Sequence, residues 1–200
     1  MKFLKKRVNL HSKKDMIYSP RPTSHVRRAV AAAVAAARAE QRPVRLLFVC
    51  LGNICRSPAA QGITEQLAAK RGVEVECDSA GFYGGHAGDL PDSRMRSAAY
   101  QRGYRLEHRS RKIRGYDLDD FDLVIGMDDQ NMSQLHQLAD TDERDGKVVA
   151  MIEFAKDHPS EYCVPDPYYE GVAGFYVVLD LLEDACSTLL DLIEMEMEAD

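Results

Sequence analysis

No stretch of this 200-residue chain approaches the ~18 consecutive apolar residues that a bilayer span requires, which excludes membrane-spanning classes. Cysteine is scarce and odd in number: Cys50, Cys55, Cys77, Cys163 and Cys186. No Cys-x-x-Cys pair occurs, and no histidine stands at a zinc-ligand spacing beside a cysteine. This excludes a disulfide-stapled secreted scaffold and argues against a structural metal. Free thiols in a reducing, cytoplasmic setting are expected, with Cys77, Cys163 and Cys186 as buried small hydrophobes. What remains is an ordinary globular mix, 45% hydrophobic and 29% charged, sufficient for about one domain.

Acid is nearly missing from one end. Residues 1–45 carry twelve Lys/Arg against Asp15 and Glu40, a net of +10, so the rest of the chain carries −16. An acidic body argues against a nucleic-acid-binding domain. The basic arm separates at about residue 43 from a body spanning 44–200. Residues 1–24 are polar and broken by Pro20 and Pro22, and read as disordered or extended. Residues 25–41 are Ala-rich and helix-prone, and Pro43 ends them. The arm reads as a dispensable solvated extension, such as an overlong gene start. An Arg-rich organelle transit peptide or a secretory signal is the alternative.

The body alternates short apolar runs with amphipathic segments. Strands are predicted over 44–50, 73–78, 121–127 and 147–152. Helices are predicted over 57–71, 91–102, 128–138 and 174–197, with Gly72 and Gly103 as stops. In the last helix Val177, Val178, Leu181, Leu182, Ala185, Leu189 and Leu192 recur at helical spacing. Alternation of this kind predicts an α/β fold: three α/β/α layers around a four-stranded parallel sheet.

The stretch Cys50-Leu51-Gly52-Asn53-Ile54-Cys55-Arg56-Ser57-Pro58 carries the chemistry. It lies between the first strand and the body's first helix. A five-residue loop closing onto a helix start points backbone N–H groups inward and makes a nest for an oxyanion. The same field favours a thiolate nucleophile at Cys50. Gly52 permits a tight turn and Asn53 tolerates left-handed backbone. Arg56 supplies a planar fork matched to phosphate. Ser57 can donate its hydroxyl to the Cys50 sulfur. The second element is Asp166-Pro167-Tyr168-Tyr169. A carboxyl held over the site can protonate a leaving oxygen and then accept a proton from attacking water. The tyrosines can wall a pocket for an aromatic substrate.

With both motifs in place, the body resembles the low-molecular-weight protein tyrosine phosphatases over about residues 45–197. Asp78-Ser79-Ala80-Gly81, His108-Arg109-Ser110-Arg111 and Gly126-Met127-Asp128-Asp129 also resemble segments of that family. The resemblance implies Cys50 as nucleophile through a phosphocysteine, Arg56 as transition-state ligand and Asp166 as acid and then base. It implies substrate contacts from Leu51, Gly52, Asn53, Ile54, Cys55, Ser57, Tyr168 and Tyr169. Ser79 and His108 would join Asn53 in a supporting hydrogen-bond network. Cys55 would form a reversible disulfide with Cys50 that shields it from over-oxidation. The implied substrate is a phosphotyrosine protein, with no cofactor, no metal and a monomeric chain.

One departure stands out. The rim segment 82–86 lacks a tryptophan that many relatives carry near Gly85, and Phe82 or Tyr83 is left to compensate. An arsenate reductase of the same fold would need closely spaced mid-chain cysteines, and only Cys77 lies between Cys55 and Cys163. A protein-arginine phosphatase often has Thr in place of Ile54, while a cysteine phosphocarrier would need neither Arg56 nor Asp166. These three stand as the alternatives.

Overall fold

The computed structural model describes residues 21–199. Of the segment 1–24 read as disordered or extended, residues 1–20 lie outside them, while Thr23 and Ser24 already form the start of a helix.

Four strands form one parallel sheet in the order β2-β1-β3-β4: β1 (Val44–Cys50), β2 (Val75–Gly81), β3 (Leu123–Gly126) and β4 (Val148–Ala150). Between and around them lie α1 (Ser24–Ala39), α2 (Arg56–Arg71), α3 (Ser93–Gln101), α4 (Asp117–Asp120), α5 (Asp129–Leu138), α6 (Asp142–Gly146) and α7 (Val172–Glu198). Strand side chains alternate faces, and β1 shows it. Val44, Leu46 and Phe48 point into a core shared with α1, α2, α3 and α7, whereas Leu47 and Val49 point into a second core with α4 and α5. The three-layer α/β/α architecture with four parallel strands is as expected.

Several boundaries differ from the sequence reading. Strand β2 starts two residues later and runs through Asp78-Ser79-Ala80-Gly81, because its pairing with β1 continues from Val44↔Val75 to Cys50↔Gly81. Strand β4 keeps only three residues before the chain turns into a short 3-10 segment at Met151–Phe154. The short helices α4 and α6 are too brief to leave a periodic signal. Val177 is exposed on α7, and Cys77 and Cys163 are half-buried; only Cys186 of those three thiols is fully buried. Burial pushes the Cys186 thiol up to about 12.

The largest difference is at the amino end. Helix α1 is helical as its composition predicts, but it is not solvated. Val26, Ala29, Val30, Ala33, Val34 and Ala37 are all buried in the core beside α7 and β1. Thr23 caps it, its side chain accepting from the Val26 amide. A boundary at residue 43 therefore cuts through one continuous core.

The strand order sets the position of the site. From β1 the chain moves outward to β2, then crosses back to β3 on the other side of β1. The direction reverses beside β1, and a crevice opens at the carboxyl ends of β1 and β3, where open α/β sheets bind ligands. Cys50 ends β1, and Asp128 follows β3 by two residues.

Candidate active site

Residues 51–55 connect β1 to α2, and five carbonyls from Cys50 to Cys55 are held from outside the loop. The Cys50 carbonyl accepts from the Phe82 amide at 3.3 Å and Leu51 from Tyr83 at 2.8 Å. Gly52 accepts from Ser110 Oγ at 3.2 Å, Ile54 from the Asp92 amide at 2.8 Å and Cys55 from Ala59 at 3.2 Å. In a trans peptide the next residue's N–H points opposite to the carbonyl. The amides of Leu51, Gly52, Asn53, Cys55 and Arg56 therefore face the inside of the loop. The Asn53 amide shows this directly, donating to Cys50 Sγ at 3.3 Å. Gly81 lets the loop sit this close to β2, since a Cβ there would lie 2.7 Å from the Leu51 carbonyl oxygen and 2.9 Å from the Asn53 nitrogen.

Behind the loop lies a buried polar network. Asn53 adopts a left-handed φ of 53°. Its Nδ2 donates to Ser57 Oγ at 2.9 Å and to Ser79 Oγ at 2.8 Å, and its Oδ1 accepts from the Arg111 amide at 2.8 Å. With Ser57 Oγ accepting from Asn53, its own proton is available to Cys50 Sγ, 3.0 Å away. Ser79 Oγ in turn donates to Gln61 Oε1 at 2.8 Å. Asn53, Ser57 and Ser79 are fully buried, so they support the loop from behind rather than line the cavity.

His108 meets this network through Asp78 and the Ser79 backbone. Its Nδ1 lies 3.4 Å from Asp78 Oδ1, not against Asn53 or the Ser79 hydroxyl. Asp78 connects it to the network, accepting from the Ser79 amide at 2.7 Å and from Arg111 Nε at 2.8 Å. Burial holds the imidazole below its usual basicity, against the pull of Asp78, and Arg111 adds to the fall.

Arg56 opens α2 and is 2% exposed. Its Nη1 donates to Asp128 Oδ2 at 2.5 Å and to the Val164 carbonyl at 3.2 Å. Its Nη2 donates to Asp166 Oδ2 at 2.8 Å. Burial opposes the guanidinium charge, but the Cys50 sulfur, Asp166 and Asp128 outweigh it and hold the proton more firmly than usual. Asp128 has two duties. Its Oδ1 caps α5 by accepting from the Asn131 amide at 2.8 Å, and its Oδ2 grips Arg56. Sequence reasoning saw Asp128 only within a resembling segment and missed Gln61 altogether. Gln61 carries a signal, as a polar residue one turn after Ser57 in the buried first half of α2.

A cavity of about 370 Å3 stands over this loop. Cys50, Leu51, Gly52, Ile54, Cys55 and Arg56 form its floor, and Asp166, Tyr168, Tyr169, Tyr83 and His86 form its walls. Tyr168 and Tyr169 pack edge to face with ring centroids 4.9 Å apart, although Tyr169 is 94% exposed. On the opposite wall Tyr83 packs edge to face on His86 at 5.6 Å. A Cβ at Gly85 would fall 2.3 Å from the Tyr83 ring, so the missing side chain at 85 is the space the Tyr83 ring fills. Phe82 instead packs against the second core. Of the two aromatics, Tyr83 is the one on the rim.

Cys55 shares the cavity floor with Cys50. Burial, then the Asp92 carboxylate and the Cys50 sulfur, push its thiol far up. Among the described residues no group of three His, Cys, Asp or Glu side chains gathers to hold a metal, and no helix is long and apolar enough to cross a membrane.

A relative from Synechocystis sp. is 42% identical over 156 residues, which is 77% of this chain and 99% of its own. A solved protein tyrosine phosphatase from Entamoeba histolytica, with Hepes in its active site, superposes with a TM-score of 0.73 at 39% identity, covering 76% of this chain and 97% of its own. A Drosophila arginine phosphatase superposes with a TM-score of 0.68 at 30% identity, over 73% of this chain and 95% of its own. The model of the low molecular weight phosphotyrosine protein phosphatases matches residues 45–199, which span this loop, the cavity and all of the sheet but Val44, and the chain belongs to that family.

Proposed function

We propose that the protein hydrolyses phosphotyrosine monoesters in protein substrates. The observation that carries this reading is the convergence of Cys50, Arg56 and Asp166 on one aromatic-walled cavity whose floor is a ring of inward amides. The phosphoryl group seats in that ring. Its oxygens take over the Arg56 Nη2 donor now bonded to Asp166, while Asp128 and the Val164 carbonyl keep the guanidinium in place. Released from Arg56, the Asp166 carboxyl faces the ester oxygen. Cys50 Sγ attacks phosphorus, the P–O bond to the aryl group breaks, and Asp166 gives that oxygen its proton. Water then attacks the phosphocysteine, Asp166 takes a proton from it, and the P–S bond breaks to release phosphate. Ser57 steadies the departing sulfur through its 3.0 Å contact.

The likeness to an arginine phosphatase supports a second reading, in which the same steps cleave a P–N bond. Ile54 and three tyrosines around the cavity favour a flat aromatic ester. Phosphotyrosine and phosphoarginine peptides, assayed side by side with chelator present, decide between them. A preference of at least about 10-fold in kcat/KM for phosphotyrosine is expected, and the reverse preference would replace this reading. In the same assay Asp166→Ala should slow phenyl phosphate by about 100-fold or more and 4-nitrophenyl phosphate far less, because the better leaving group needs less help from an acid. Equal losses on both esters would remove Asp166 from the acid role.

A further inference from the structure

Helix α3 begins beside both halves of the site, and its first turn ties them together. Asp92, the cap residue, donates its amide to the Ile54 carbonyl of the phosphate loop at 2.8 Å. Its carboxylate holds Arg94: Oδ1 accepts from the Arg94 amide at 2.8 Å and Nε at 3.0 Å, and Oδ2 accepts from Nη2 at 2.8 Å. The remaining corner of the guanidinium, Nη1, donates to the Tyr168 carbonyl at 3.1 Å. The guanidinium carbon also lies 5.2 Å from the Tyr168 ring centroid and 4.8 Å from that of Phe175. The Tyr168 amide in turn donates to Asp166 Oδ1 at 3.2 Å. A continuous run of contacts thus joins Ile54 to Asp166 through the side chains of Asp92 and Arg94.

We propose that Arg94 is a positioning residue that holds the acid loop against the phosphate loop. Among the described residues, two side chains reach 165–171 from outside by hydrogen bonds: Arg56 to Asp166 and Arg94 to Tyr168. A bound phosphoryl group competes for Arg56. Arg94 then becomes the polar anchor that keeps Asp166 over the ester oxygen during proton transfer. A planar fork is required, because one edge is occupied by Asp92 while another corner holds the Tyr168 carbonyl; a lysine cannot serve both at once. The effect on rate is large because small displacements of a proton donor are costly.

The inference rests on reading Asp166 as the acid, and its test separates the two. Arg94→Ala, Arg94→Lys, Asp166→Ala and the Arg94→Ala/Asp166→Ala double variant are compared on phenyl and 4-nitrophenyl phosphates. Arg94→Ala should lower kcat on phenyl phosphate about 10-fold and on 4-nitrophenyl phosphate about twofold or less, with inhibition by inorganic phosphate unchanged. Arg94→Lys should recover only part of the loss. In the Asp166→Ala background, Arg94→Ala should cost nothing further. Amide exchange at Tyr168–Gly171 should speed up in Arg94→Ala, whichever group is the acid. Equal losses on both esters, additive losses in the double variant, or unchanged exchange would overturn the positioning role. Failure of the acid reading shows itself separately, as an Asp166→Ala variant that is indifferent to the leaving group.

Discussion

Cys50→Ser is expected to lower kcat on aryl phosphates by about 10,000-fold or more while leaving phosphate affinity within about threefold. Everything around the sulfur is built to accept negative charge there: the Asn53 amide at 3.3 Å, the Ser57 hydroxyl at 3.0 Å, and the amino end of α2. A thiol can use these donors because it gives up its proton readily, and an alcohol cannot near neutral pH. The substitution is close to isosteric and keeps the Ser57 partner, so the loop should survive it. Arg56 and the inward amides, which hold the phosphoryl group, are untouched. Rapid quench with labelled substrate should trap a phosphoenzyme from the parent protein and none from the variant. Residual turnover within about 10-fold of the parent, with no change in the trapped species, would mean that Cys50 is not the nucleophile.

The parts of this site that sequence revealed are those written in adjacent residues. Residues 50–58 fix a strand end, a turn and a helix start, so the loop and its inward amides follow from local chemistry. Asp166-Pro167-Tyr168-Tyr169 is equally local. What escaped is the set of pairings made across the fold. Asp128 reaches Arg56 from 72 residues away, and nothing in the residues around it points to that partner. Arg94 looks like one more surface charge until α3 is placed beside the acid loop. His108 meets the Asn53 network indirectly, through Asp78 and the Ser79 backbone, a route that only the fold displays. For α1 the signal was present but faint. Val26, Ala29, Val30, Ala33, Val34 and Ala37 recur at helical spacing, yet alanine is common enough in solvated helices for the stripe to pass as propensity alone.

Removal of residues 1–43 is expected to cost about 5 kcal/mol of stability, against the reading of the arm as dispensable. Three fully buried valines contribute about 1.5–2 kcal/mol each and three alanines less, reduced somewhat by residual structure in the unfolded chain. That is a large share of the ~5–15 kcal/mol a domain has in total. The polar contacts of the arm act in the same direction. Arg42 holds the buried Asp122 with both ends of its guanidinium, at 2.6 and 2.8 Å, and its loss would leave that carboxylate with only the Arg45 amide. Arg38 caps α7 by donating to the carbonyls of Glu196, Met197 and Ala199. Arg21 gathers the carbonyls of Ala155, His158 and Glu161, on the segment that leads to Asp166. Much of the basic charge between residues 21 and 45 is thus spent on the acidic body. The family match begins at residue 45, so this helix is an addition to the shared fold that has become part of its core. Residues 44–200 alone should melt about 10–20 °C below the full chain, or fail to remain monomeric because the uncovered face of α7 is apolar. A pair of full-length variants separates packing from charge: Val30→Asp should be as damaging as the truncation, while Ala35→Asp on the exposed face of the same helix should be nearly silent. A truncated protein with the melting temperature of the full chain would show that the body is complete without the helix.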